Sequence, residues 1–269
     1  MNTNSSALAA LSSLRKINTN LAVAQKQLQT GYRVADAADD ASTFSVAQGL
    51  RGDLQAYAAV QASLANGVGL GSVTQSALTG ISDLVGNLQA KITQLADGGI
   101  SASQRTIYTN DYNALTSQVA NFISQANYNG TNLLSAGSTA KSFLADVAAT
   151  TLSLSSQSTV QAAFTTFNAS SVASASEATL ALTSLTTFSD AVASSLGTNA
   201  AESRSLTLQS TFTNSITDSI TTGIGALVDA DIGKAAAAVQ ALQVQQQLAI
   251  QSLSIANQQP SRLLALFPN

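Results

Sequence analysis

The segment that most constrains this chain lies between Lys234 and Arg262, where no residue carries an ionisable side chain. Ala, Leu and Gln dominate it, and no Gly or Pro intervenes before Pro260. All three are good helix formers, so a helix of about 25 residues is expected. Val239, Leu242, Ala249, Leu253 and Ala256 make one apolar stripe, while Ala241, Leu248 and Ile255 make a second, one residue out of phase. Two stripes call for apolar neighbours on two sides. The interspersed glutamines argue against a membrane span, because each primary amide would need a partner in hydrocarbon. A lone helix in water would carry charge on its outer face. Enclosure by other protein meets both conditions, which points to assembly.

Charge is scarce throughout: Asp, Glu, Lys and Arg make up 9% of the 269 residues, against roughly 25% in an ordinary domain. With no Cys and no His, the commonest transition-metal ligands, thiol nucleophiles and imidazole bases are missing, so neither a cofactor nor an enzyme is expected. A hydrolase using Ser with an acidic partner would lack both the histidine and the nucleophile elbow. Eleven basic residues, spread thinly in a chain of net charge −3, offer no footprint for nucleic acid. No run of eighteen apolar residues occurs, so no membrane insertion is expected. The first twenty residues lack a basic leader with a long apolar core, so no cleavable secretory signal is expected either.

Near the N-terminus Leu14, Ile17, Leu21, Ala24 and Leu28, preceded by Leu8 and Leu11, step by three and four, the spacing of a coiled-coil seam. Gly31 offers a stop, and Asp39-Asp40 reads as a cap before the next helix rather than a metal or acid–base pair. Leu50, Tyr57, Leu64, Gly71, Leu78, Val85 and Ile92 then hold one seven-residue frame, with Leu54 and Val68 between them. A helix of over about 50 residues follows from that frame, unless Asn66-Gly67, Gly69 and Gly71 break it. Gly98-Gly99 closes it. Tyr108, Tyr112, Leu115, Val119, Phe122 and Ala126 predict a helix folding back antiparallel, ended by the turn Asn129-Gly130. Residues 132 to 168 change character, and the period-two run from Thr151 predicts a short β-hairpin. The helical frame returns from about Ser174 in Leu185, Val192, Leu206, Ile220 and Leu227, with Asn199 and Thr213 in intervening slots and Gly223 and Gly225 interrupting it. Val228-Asp229-Ala230-Asp231 reads as a further acidic cap. The fold class is mainly α: an elongated antiparallel helical bundle with coiled-coil seams, a small β-hairpin, and termini that pair as a helical hairpin.

Several motifs, in order, resemble a known family. Asn2-Thr3-Asn4-Ser5, Leu28-Gln29-Thr30-Gly31-Tyr32-Arg33-Val34, Ala38-Asp39-Asp40-Ala41 and Ala65-Asn66-Gly67 are similar to the N-terminal pattern of bacterial flagellins. Tyr128-Asn129-Gly130-Thr131-Asn132-Leu133-Leu134 resembles the turn after that family's second helix. Val228 to Asp231, and Gln258-Gln259-Pro260 through Leu263, Leu264, Leu266 and Phe267, resemble its C-terminal signatures.

The resemblance implies a filament subunit that polymerises with itself or with paralogous flagellins, in a short form similar to those of alphaproteobacteria. It implies partners in the flagellar export machinery and its chaperone, and in the filament cap and hook-junction proteins. It also implies residence in the extracellular filament. Residues 1–36 with 234–269 would form an inner tube, and 37–233, including the hairpin, the next shell. Leu8, Leu11, Leu14, Ile17, Leu21, Leu28, Val239, Leu242, Leu248, Ala249, Leu253, Ile255, Leu264, Leu266 and Phe267 would be interface residues. Leu50, Leu54, Tyr57, Leu64, Val68, Leu78, Val85, Ile92, Leu115, Val119, Phe122, Leu185, Val192, Leu206, Ile220 and Leu227 would line the shell's core. The segment Leu88 to Leu95 holds a single cation, Lys91, where many flagellins carry an Arg-rich stretch read by an animal innate receptor, so weak stimulation is expected. The rival readings are a hook–filament junction protein, which would share both ends, and a cytosolic coiled-coil regulator or export chaperone, which would explain the heptads but not the motif order.

Overall fold

In the computed structural model, the described residues 4–264 form six helices and one antiparallel strand pair. In chain order they are α1 (Ser5–Thr30), α2 (Ala41–Ala96), α3 (Ala102–Gln125), β1 (Lys141–Leu144), β2 (Thr151–Leu154), α4 (Ser158–Asn168), α5 (Ala175–Val228) and α6 (Ile232–Leu264). Side-chain surroundings are described as far as Gln258. Contacts divide the chain into a terminal unit, Met1–Leu54 with Asp218–Asn269, and a central unit, Gln55–Thr217. Both α2 and α5 contribute to each.

In the central unit α2 passes through its glycines without a break, as part of a 56-residue helix. Other elements occupy the space the missing side chains leave. A Cβ on Gly67 would stand 2.9 Å from the Phe143 ring, and one on Gly69 2.6 Å from Tyr128. At Gly71 it would collide with Ser203 Oγ at 2.2 Å. Close packing therefore offsets the cost of about 1 kcal/mol that each glycine carries relative to Ala. Asn199, fully buried on α5, donates from Nδ2 to the Gly71 carbonyl at 3.0 Å and to Gln75 Oε1 at 2.8 Å.

The capping box of Ser101 and Gln104 starts α3, which runs back along α2. Lys91 pairs with Asp111 at 2.9 Å, and Arg105 Nη1 donates to the Leu95 carbonyl at 2.7 Å. A tight turn follows, with Tyr128 bridged to Thr131. Asn129 and Gly130 have φ of 48° and 77° there, the two positive values a primed hairpin turn requires.

Strand β1 pairs with β2 in the register Lys141↔Leu154 to Leu144↔Thr151. Phe143, Leu144, Leu152 and Leu154 pack with Val60, Leu64, Leu70 and Leu206. Polar contacts hold the hairpin at both edges. Leu144 N donates to Ser63 Oγ, Gln209 Nε2 to the Ala145 carbonyl, and Ser155 N to Glu202 Oε2, each at 2.8 Å.

Two expectations from the sequence are corrected. Strand pairing does not extend to residue 168, because 158–168 is the helix α4. Its Thr, Val and Phe favour strands taken singly, but Val160, Phe164 and Phe167 fall on one helical face and are buried together. Phe167 stacks on Phe188 with centroids 5.8 Å apart, and Tyr112 meets it edge-on at 6.0 Å. Likewise Gly223 and Gly225 do not interrupt α5, which continues to Val228. Ile224 and Val228 are buried with Val34 and Ala47 in the terminal unit, and that burial holds the last turns helical.

Candidate functional site: the paired terminal helices

The terminal unit is built on α1 and α6, which run antiparallel. Asn4 lies beside Ala256, Asn18 beside Gln246 and Gly31 beside Ala230, joined by hydrogen bonds of 2.8, 2.7 and 2.9 Å. Asn4 serves both helices. Its Oδ1 accepts from Ala7 N and caps α1, while its Nδ2 donates to the Ala256 carbonyl of α6. In an α-helix that carbonyl would receive the N–H of residue 260, which is Pro260 and has none. Helix α6 continues past the proline to Leu264, with Asn4 supplying the missing donor.

Of the two α6 stripes, one meets α1 and the other does not. Val239, Leu242, Ala249 and Leu253 are half-buried, as are Leu11, Leu14 and Ile17 of α1, and Leu21 and Ala24 are buried. Leu248 and Ile255 remain 56% and 66% exposed. Leu8 and Leu28 of α1 are also open to solvent. Sequence spacing had not singled out Val23, Val244 and Ile250, which are exposed too. Val244 sits between Ala241 and Leu248 on the open stripe, so the same period was there to be extended. The side chain of Leu264, and Leu266 and Phe267 altogether, lie outside the described residues.

The connector between α1 and α2 is held by charge and backbone. Gly31, at φ 75°, ends α1. Tyr32 bridges to Asp229, and Arg33 N and Val34 N both donate to the Val228 carbonyl. Lys26 Nζ lies 2.7 Å from both Asp36 and Asp39. These hydrogen bonds raise the lysine's pKa and lower those of both aspartates. Asp40 caps α2 through Ser42 N and Thr43 N, and the Thr43 hydroxyl is the chief cause of its lowered pKa. Asp39 thus serves the loop, and Asp40 the helix. Asp231 caps α6 by accepting from Lys234 N at 2.9 Å. Arg33 Nη2 donates to the Leu227 carbonyl rather than meeting Asp229 or Asp231.

The core positions marked in the sequence divide by depth. Leu64, Leu78, Ile92, Val119, Leu185, Val192 and Leu206 are buried in the central unit. Tyr57, Val68, Val85, Leu115 and Phe122 are half-buried there, and Leu50, Leu54, Ile220 and Leu227 are half-buried in the terminal unit. Among the described residues no helix is long and apolar enough to cross a membrane, and no group of three His, Cys, Asp or Glu could hold a metal ion.

Comparison with known proteins adds the identity of the fold. Residues 1–139 match the family model of the bacterial flagellin N-terminal helical region, and 179–267 that of the C-terminal helical region. Flagellin FljM of Caulobacter vibrioides is 30% identical over 99% of this chain and 98% of its own length. A flagellin of Brucella melitensis is 34% identical over 98% of each. The crystal structure of Bacillus cereus flagellin superposes with a TM-score of 0.51 at 18% identity, covering 56% of this chain and 88% of that one, a likeness of fold.

A mainly helical chain with paired terminal helices, matched along its length by flagellins, is a structural protein of a class that polymerises with itself. The chain belongs to the bacterial flagellin family. It is a structural subunit of the flagellar filament, an extracellular polymer that serves motility, and it resembles the short alphaproteobacterial members along its full length.

Proposed function

We propose that the filament forms by coupled folding and assembly, in which the open faces of α1 and α6 are the surfaces that neighbouring copies cover. Residues 1–36 and 234–269 form the innermost tube in this reading, and 37–233 the shell around it. Leu8, Leu28, Leu248 and Ile255 meet other copies, while Leu14, Ile17, Leu21, Leu242 and Leu253 pair the two helices within one copy.

The observation that carries this is the exposed stripe of Val244, Leu248 and Ile255 on a helix with no charge between Lys234 and Arg262. Ordering each residue costs roughly 1 to 2 kcal/mol, and α1 buries only Leu21 and Ala24 fully within one copy. Full burial of a large apolar side chain stabilises by about 1.5 to 3 kcal/mol, so covering the open leucines and isoleucines supplies what a single chain lacks. Contacts that do not close on themselves then generate an open helical polymer. Scarcity of charge spares the desolvation of ions inside the tube.

Before assembly the subunit travels through the flagellar export apparatus, with its chaperone, and joins the filament beneath a cap and beyond the hook-junction proteins. The names of the relatives are those of flagellins, which favours the filament over the junction as its place. Limited proteolysis before and after polymerisation tests the mechanism. Cleavage near both ends of the free chain is expected to be blocked in the polymer, and equal susceptibility in the two states would refute it.

A further inference from the structure

The chain contains two Asn-Gly pairs, Asn66-Gly67 and Asn129-Gly130, and the fold gives them opposite surroundings. Asparagine before glycine is the pair most open to loss of its amide, since no Cβ shields the glycine nitrogen. Asn66 lies inside α2, where the Gly67 N–H is held by the helical bond four residues back. Gly67 is also buried, with Phe143 and Leu206 against it. Asn129 and Gly130 instead form the exposed centre of the turn between Tyr128 and Thr131. Tyr128 N donates to the Thr131 carbonyl and Thr131 N to the Tyr128 carbonyl, both at 2.9 Å. The peptide joining Asn129 to Gly130 stands outside that pairing, and its N–H donates to Asn127 Oδ1 at 2.9 Å.

We infer that Asn129 is a site of spontaneous deamidation and that Asn127 restrains it. In the step, the Gly130 nitrogen gives its proton to solvent base and attacks Asn129 Cγ. The new N–Cγ bond closes a succinimide ring, the Cγ–Nδ2 bond breaks, and the amide nitrogen takes up a proton and leaves as ammonia. Water then opens the ring at either carbonyl, giving aspartate or isoaspartate, with nothing oxidised or reduced. Ring closure needs the Gly130 nitrogen on the same side as the Asn129 side chain. With φ positive at both residues, 48° and 77°, the turn is the primed form that points this nitrogen away. Turning over that one peptide plane gives the other primed form, in which φ stays positive at Asn129 and becomes negative at the glycine. The pairing of Tyr128 with Thr131 survives the movement, and the nitrogen is presented to Cγ. The hydrogen bond to Asn127 Oδ1 does not survive it, and that bond is the restraint. The same movement inside α2 would break the helix at a buried residue, so Asn66 is protected. Isoaspartate lengthens the backbone of a two-residue turn, and so disturbs Tyr128, whose ring lies 2.6 Å from where a Cβ on Gly69 would stand.

The second Asn-Gly pair serves as an internal control. Full chain held folded in mildly alkaline buffer and then digested with trypsin yields Asn66 in the peptide 52–91 and Asn129 in the peptide 106–141. Tandem mass spectrometry follows the conversion of each amide to acid. Asn129 is expected to convert many times faster than Asn66, and the two at similar rates once urea unfolds the chain. Asn127→Ala is expected to speed conversion at Asn129 about five-fold, the worth of one lost hydrogen bond. Asn127→Asp keeps an acceptor oxygen and is expected to stay near the wild-type rate. Asn66 remaining slow in both variants shows that α2 is intact in them. Asn129 converting no faster than Asn66 in the folded chain would overturn the site. A wild-type rate in Asn127→Ala, or an equal acceleration in Asn127→Asp, would overturn the restraint. None of these measurements needs polymer, so their outcome is independent of the assembly mechanism.

Discussion

The double duty of Asn4 gives a prediction whose size can be worked out. Its Oδ1 caps α1 at 3.1 Å from Ala7 N, and its Nδ2 reaches the Ala256 carbonyl at 2.8 Å. Replacing an Asn cap by Ala costs about 1 kcal/mol. Losing a hydrogen bond to a part-buried carbonyl that has no backbone donor costs about another 1 kcal/mol. Asn4→Ala should therefore destabilise the assembled terminal unit by about 2 kcal/mol, which raises the critical concentration for seeded polymerisation roughly 30-fold. The protein left in the supernatant after sedimentation measures it. Asn4→Asp keeps the capping oxygen and removes the donor, so its effect should be about half as large in free energy. Pro260→Ala returns an N–H to the Ala256 carbonyl. In that background Asn4→Asp should cost almost nothing, a coupling of about 1 kcal/mol in the double-mutant cycle. Equal cost of Asn4→Asp with and without the proline would refute the idea that Asn4 replaces the donor that residue 260 lacks.

Two further outcomes follow from the geometry. Gly86 has open space where a Cβ would stand and Gly69 has the Tyr128 ring at 2.6 Å, so Gly86→Ala should raise stability by up to about 1 kcal/mol in thermal unfolding. Gly69→Ala should lower it, because the Tyr128 ring must move. At the connector, the folded-state pKa values of Asp36 and Asp39 lie below the ordinary 3.8, so their contribution is complete above that value and is lost as pH falls through the lowered ones. Lys26, raised above 10.5, contributes fully below that value and loses its share as pH rises past it. Hydrogen exchange at the Ala35 and Asp36 amides, which donate to Asp39, should show protection falling below pH 3.8 relative to intrinsic rates. The Lys26→Met variant should lack part of that protection at neutral pH. Unchanged protection through the acid range would refute the assignment.

What could be read in the sequence is what depends on period, and what escaped it depends on remote partners. Leu14, Ile17 and Leu21, or Leu64, Leu78 and Ile92, declare a helix and its inner face by spacing alone, and those residues lie on the inward sides of α1 and α2. Gly67, Gly69 and Gly71 could not be resolved that way. What requires glycine at these positions is the close approach of Phe143, Tyr128 and Ser203, which arrive from far along the chain. Helix α4 is hidden for a related reason, since Thr, Val and Phe favour strands singly, and the helical face is selected by burying Val160, Phe164 and Phe167 together, with Phe167 edge-on to Tyr112 and stacked on Phe188. The same division runs through the candidate site. Two stripes on α6 were visible as two, but nothing in the spacing said which would pair with α1. The choice falls where Asn18 meets Gln246 and Asn4 meets Ala256, side-chain contacts between positions more than two hundred residues apart. Charge behaves alike: Lys26 had acids to choose from at both ends of the chain, and the loop geometry that brings Asp36 and Asp39 within 2.7 Å makes the choice. Period thus fixes which surfaces are apolar, and long-range partners fix which of them stay open. In a subunit built to assemble, the second question is the functional one.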